Sequence, residues 1–240
     1  MSVEPSPTAV AGGYFITRPA ARSPDRSPGV LPSHLISLSS CISVFAPGEW
    51  ALPWGGVPSA DRAAIASQFG IDESQLPDVA RYVQLCMDRG EWGWPCVWYS
   101  ATFALEFSQQ FCDPEGDWIV LGADLDARYV DAFLRHAGPE PSMGTPGVYE
   151  AISKGRSLAS DGRTLGWEML GYDTGGTFHS WLCHGLEVDV LHTYAVRPNA
   201  HGLVASEAEV DVVVTHCEKP EVGMEPGFWA PWRLVQYDRP

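Results

Sequence analysis

The sequence predicts an α+β fold, a single domain with a mixed, mostly antiparallel sheet and packed helices. Three observations carry this. Apolar residues make up 45% of the 240 residues, enough to bury one sizeable core. Stretches with a two-residue apolar period and stretches with helical period are interspersed along the chain. They follow no regular βαβ rhythm, and no internal repeat is present. The domain is expected over residues 14–240, after a mobile Pro/Ser/Ala tail at 1–13.

Tyr14 to Thr17 reads as a short strand, followed by an extended Pro/Ser/Arg loop to Pro32 where proline denies both helix and ladder. Residues 34–45 alternate: Ile36, Leu38, Ile42 and Val44 on one parity, Ser37, Ser39 and Ser43 on the other, which predicts a strand with a solvated serine face. Residues 47–58 form a Gly/Pro loop carrying Trp50 and Trp54. Ser59 is placed to cap a helix that stops at Gly70. A second helix is expected over 75–89 and a third over 96–112.

Trp118 to Leu121 is strand-like, Asp126 starts a helix through Ala137, and a short helix lies near 147–154. Leu165 to Tyr172 is a strand leading into a turn at Asp173–Gly176. Residues 178–194 fit both helix and strand. Ser206-x-x-Glu209 is a capping box, opening a helix whose buried stripe is Val210, Val213, Val214 and Cys217. Arg233 to Tyr237 forms a closing strand.

Thirty acidic against fifteen basic residues give a formal charge of −15. Such a surface repels nucleic acid and speeds encounter with a basic partner. No apolar run approaches the length of a membrane span, and residues 1–13 lack the basic and apolar regions of a secretory signal. A cytoplasmic protein is therefore expected, with its six cysteines reduced. P-loop, dinucleotide-binding, nucleophile-elbow, HExxH and EF-hand patterns are missing, and no cofactor is expected.

Two chemical constellations stand out. Cys96 would open the helix 96–112, where the helix dipole and free amides lower a thiol pKa. With His179 and Asp189 it makes a thiol-hydrolase or transglutaminase-like set, provided the latter two lie on adjoining strands. Separately, His179, Cys183, His216 and Cys217 are of the types that bind zinc. For both, the bland alternative is a set of packed core residues. Ten tryptophans, several in loops, suit a protein interface.

Gly166-Trp-Glu-Met-Leu-Gly-Tyr-Asp173, Phe178-His-Ser-Trp-Leu-Cys-His-Gly-Leu-Glu187, Arg197-Pro-Asn-Ala-His-Gly-Leu203 and Pro226-Gly-Phe-Trp-Ala-Pro-Trp232 give the C-terminal third its character. This third resembles a group of actinobacterial proteins that look like immunity proteins of polymorphic toxin systems. The resemblance implies a non-enzymatic cytoplasmic binder that occludes a basic toxin domain, and it transfers no catalytic residue. Joined to the acidity, it nominates Glu187, Asp189, Glu207, Glu209 and Asp211 as contacts, with Trp229 and Trp232 as apolar anchors. The alternative function is a cysteine-dependent enzyme using Cys96, His179 and Asp189.

Overall fold

The first strand, β1 (Ala9–Thr17), runs up the middle of the sheet and is buried over nearly its whole length. The computed structural model describes residues 8–22, 29–46, 59–138, 147–173, 175–224 and 226–238. Residues 9–13, expected within the tail 1–13, belong to β1. Ala9 to Gly13 pair with Asp126 to Ala123 of β6 (Ile119–Asp126), because small and apolar residues there fit a two-sided burial.

The short strands β2 (Ala20–Ala21) and β3 (His34–Leu35) pair with each other. The helix α1 (Ser59–Gln68) precedes α2 (Leu76–Asp88), whose Val79, Val83 and Cys86 are buried at helical spacing. Two short strands, β4 (Trp92–Gly93) and β5 (Val97–Trp98), lead into α3 (Ala101–Phe111). Then follow α4 (Ala127–His136), α5 (Gly147–Ser153), β7 (Arg163–Tyr172), β8 (Phe178–Ser180), α6 (Glu187–Tyr194), α7 (Glu207–Cys217) and β9 (Phe228–Tyr237). The main sheet has the order β4-β5-β1-β6-β9-β7-β8, with every pairing antiparallel.

Strand alternation sorts the core onto the two faces. On one face Phe15, Leu121, Leu170, Trp232 and Leu234 meet Phe133 of α4 and Val148 and Ile152 of α5. On the other, Tyr14, Ile16, Val120 and Val235 pack on Val83 of α2 and Phe107 of α3. Met169, farther along that second face, meets Trp181, Val190 of α6 and Val210 and Val213 of α7. An α+β domain with an antiparallel sheet is thus present, helices lying on both faces.

Three expected elements differ. The strand 34–45 exists only as His34–Leu35. Beyond it Ser37 and Ser39 are fully buried, because they bond inward instead of facing water, while the apolar Val44 is exposed. The helix expected at 96–112 begins five residues later. Ser100 is its cap, with Oγ accepting from the Thr102 amide at 3.2 Å, and Cys96 lies before it in the β4–β5 turn. Residues 178–194 use both conformations: strand β8, a one-turn 3-10 helix Trp181–His184 and then α6.

Candidate functional site

The edge strand β8 and the segment that covers it build one polar cluster. At the β7–β8 turn, Asp173 accepts from the Thr177 amide through Oδ1 and from Thr177 Oγ1 through Oδ2, each at 2.9 Å. The sequence Asp-x-x-x-Thr closes this turn locally. Two residues on, His179 Nε2 lies 3.2 Å from Asp173 Oδ2. Burial acts to raise the Asp173 pKa. The Thr177 and His179 hydrogen bonds together outweigh it and hold the carboxyl below its ordinary value. An ionised, acceptor-only carboxylate fixes the proton on Nε2 and leaves Nδ1 as the basic nitrogen.

Facing that Nδ1 is Cys41. Its Sγ is 3.7 Å from His179 Nδ1, and the residue is exposed. Cys41 sits on a tight turn in which the Ile42 and Ser43 amides both donate to the Ser39 carbonyl, at 3.0 and 2.9 Å. The Ser40 amide donates to the Phe178 carbonyl at 3.1 Å, tying the turn to the open side of β8. Cysteine, histidine and aspartate thus lie in hydrogen-bonded series, as thiol nucleophiles require.

Below this turn lies Glu168 of β7, completely buried. Its Oε1 accepts from Ser37 Oγ at 2.6 Å and its Oε2 from the Leu38 amide at 3.0 Å. Burial pushes its pKa up to about 7, against the opposing hydrogen bonds of Ser37, Ser180 and Leu38. The network continues outward. Ser37 Oγ accepts from the Ser39 amide at 2.9 Å, and Ser39 Oγ accepts from the Cys41 amide at 3.2 Å. Ser39 Oγ also lies 3.3 Å from Cys183 Sγ on the 3-10 turn. Ser180 Oγ caps that same turn, accepting from the Leu182 amide. One buried carboxyl therefore anchors both chain segments that carry the thiols.

Of the expected catalytic set, only His179 belongs to this cluster. Cys96 lines a small apolar cavity of about 50 Å³ with Phe15, Leu38, Val97, Val148 and Phe178. Burial pushes its thiol up to about 12, so it is an inert core thiol. Asp189 is exposed in the first turn of α6, and the place beside His179 is taken by Asp173. Cys41 lies in the stretch 34–45 whose alternation predicts a strand, which gives it no chemical signal by spacing. Its signal was the serine run Ser37-Leu-Ser-Ser-Cys41, and the signal for Asp173 was its spacing to Thr177 and His179.

The expected binding surface is not assembled as proposed. Trp232 is fully buried, edge-on to Phe133 and Phe178, and Glu187 is fully buried at the start of α6. Trp229 is half-buried against Gly171, where an added Cβ would meet its ring at 2.4 Å, and edge-on to His184. Glu207 and Asp211 are exposed on α7. Asp211 bonds Arg128 at 3.1 Å, and Glu209 is tied to the cap, accepting from Ser206 Oγ at 2.8 Å. Trp50 and Trp54 lie outside the described residues.

The zinc set is likewise divided. His179 and Cys183 adjoin Cys41, whereas His216 and Cys217 are buried on α7, His216 edge-on to Tyr194. Among the described residues no three His, Cys, Asp or Glu side chains form a metal-binding group. No described helix is long and apolar enough to cross a membrane. No family model, curated protein or solved structure matches the chain.

Proposed function

We propose that the protein is a cysteine-dependent acyl-transfer enzyme, a thiol hydrolase or transferase, with Cys41 as nucleophile, His179 as base and Asp173 as the group that orients the imidazole. The observation that carries this is the continuous contact series from Cys41 Sγ to His179 Nδ1 at 3.7 Å and from His179 Nε2 to Asp173 Oδ2 at 3.2 Å. In the reaction His179 takes the thiol proton, the thiolate attacks a carbonyl carbon, and the imidazolium protonates the leaving group. Water or an acceptor amine then releases the acyl group from Cys41. Asp173 stays ionised throughout. The turn's own amides are committed, Ser40 to Phe178 and Cys41, Ile42 and Ser43 to Ser39, so donors to the developing oxyanion come from elsewhere.

The test is residue-resolved alkylation with iodoacetamide, together with turnover of an activated ester. Cys41 is expected to react about tenfold faster than a free thiol at neutral pH. Its advantage should vanish in His179→Ala, and turnover should vanish in Cys41→Ala. Labelling of Cys41 at the free-thiol rate, unchanged by His179→Ala, would overturn the assignment.

An immunity-type role is the second reading, supported by the formal charge of −15 and by the exposed acids Asp189, Glu207 and Asp211. On that reading, co-expression protects cells from a basic toxin, and charge reversal at Glu207 and Asp211 slows association at low salt. Protection that survives Cys41→Ala would favour it over the enzyme.

A further inference from the structure

We propose that Cys183 is a resolving thiol for Cys41, so that the two form a reversible redox site whose oxidant is a peroxide. Both residues meet one serine, Cys41 through its backbone amide and Cys183 through its thiol. Ser39 Oγ accepts the Cys41 amide at 3.2 Å and lies 3.3 Å from Cys183 Sγ. Burial first, and the neighbouring Cys41 side chain after it, act to raise the Cys183 thiol pKa. The other cysteines, at 86, 96, 112 and 217, are buried.

The accessibilities of the pair differ in the sense that a sensor requires. Cys41 is exposed and has His179 Nδ1 beside it, whereas Cys183 is only partly exposed. A small oxidant therefore meets Cys41 first, and Cys183 is sheltered until it is needed. The Cys41 thiolate attacks one peroxide oxygen, breaking the O–O bond and giving a sulfenic acid and hydroxide. The Cys183 sulfur then attacks the sulfenic sulfur. A disulfide forms, and the displaced hydroxyl leaves as water with the Cys183 proton. The sulfurs of Cys41 and Cys183 have lost two electrons and the peroxide has gained them. A dithiol reductant returns both thiols by exchange.

This site rests on the proposed function only in that Cys41, beside His179, is the reacting thiol in both. Its test is separate. The full-length folded chain is treated with hydrogen peroxide, then analysed by intact mass and by peptide mapping without reduction. The expected product has lost two hydrogens and yields a Cys41–Cys183 crosslinked peptide, and dithiothreitol restores iodoacetamide labelling of Cys41. In Cys183→Ser the product should instead carry one or two added oxygens on Cys41, with labelling recovered incompletely. Wild-type protein that gains oxygen at Cys41 with no crosslinked peptide would overturn the proposal. A crosslink in a protein with no esterase turnover leaves the redox site standing and removes the acyl-transfer reading. Turnover without a crosslink does the reverse.

Discussion

Asp173 and Glu168 show how the same side-chain chemistry is driven in opposite directions. Asp173, partly exposed and bonded by Thr177 and His179, is held below its ordinary value of 3.8. Its contribution to stability is present above about pH 4 and is lost as pH falls through the lower folded value. Glu168 is raised from 4.5 to about 7 by burial. The unfolded chain gives up this proton first, so folding stability declines from about pH 4.5 to pH 7, by on the order of 3 kcal/mol. Urea denaturation followed across this range should show that decline. Glu168→Gln should flatten it, while lowering stability at acidic pH because its amide hydrogens face the Leu38 amide or Ser37 hydroxyl. Asp173→Asn should cut the alkylation rate of Cys41 by up to about tenfold, as His179→Ala does, since the amide no longer fixes the proton on Nε2. An unchanged rate and pH profile would show that Asp173 only closes its turn.

Elements defined by local chemistry were legible in the sequence. The helices at 59–68, 76–88, 127–136 and 207–217 carry their apolar spacing, and Ser206 and Asp126 act as the caps their positions suggest. Strand β7 and the turn at Asp173 were equally plain. Legibility failed where a distant residue decided the conformation. Ser37 to Ser43 alternate as a strand does, yet Glu168 recruits Ser37 and Leu38 and converts the stretch into an anchored turn. No periodicity reports a partner on β7. The cluster was hidden for the same reason, since its members are separated in sequence and meet only after β8 pairs with β7. Ser37→Ala leaves Glu168 one donor short and should cost about 1–3 kcal/mol. Thermal denaturation should detect this, and alkylation of Cys41 should slow with it.

Across the whole molecule, burial separates the residues that hold the sheet together from those free to act on something else. Trp232 lies between Phe133 and Phe178 on one face of the sheet, beneath Gly12, where a Cβ would meet its ring at 2.5 Å. Trp232→Ala should therefore destabilise the fold by about 3–5 kcal/mol, measured by equilibrium unfolding, whatever the protein binds. An unfolding midpoint unchanged by that substitution would contradict the packing described. The surface acids behave differently: Glu207 and Asp189 are open to water, and their removal should leave stability within about 0.5 kcal/mol.

The Ser40 amide on the Phe178 carbonyl has a consequence for solubility. Strand β8 is the last in the sheet, and an uncovered last strand is a template for another chain to join. The turn that presents Cys41 is therefore also part of what shields that border. Any change that frees the turn, including loss of the Glu168 anchor, uncovers an adhesive strand as it disarms the thiol. Self-association, followed by light scattering, should accompany loss of Cys41 alkylation in such variants.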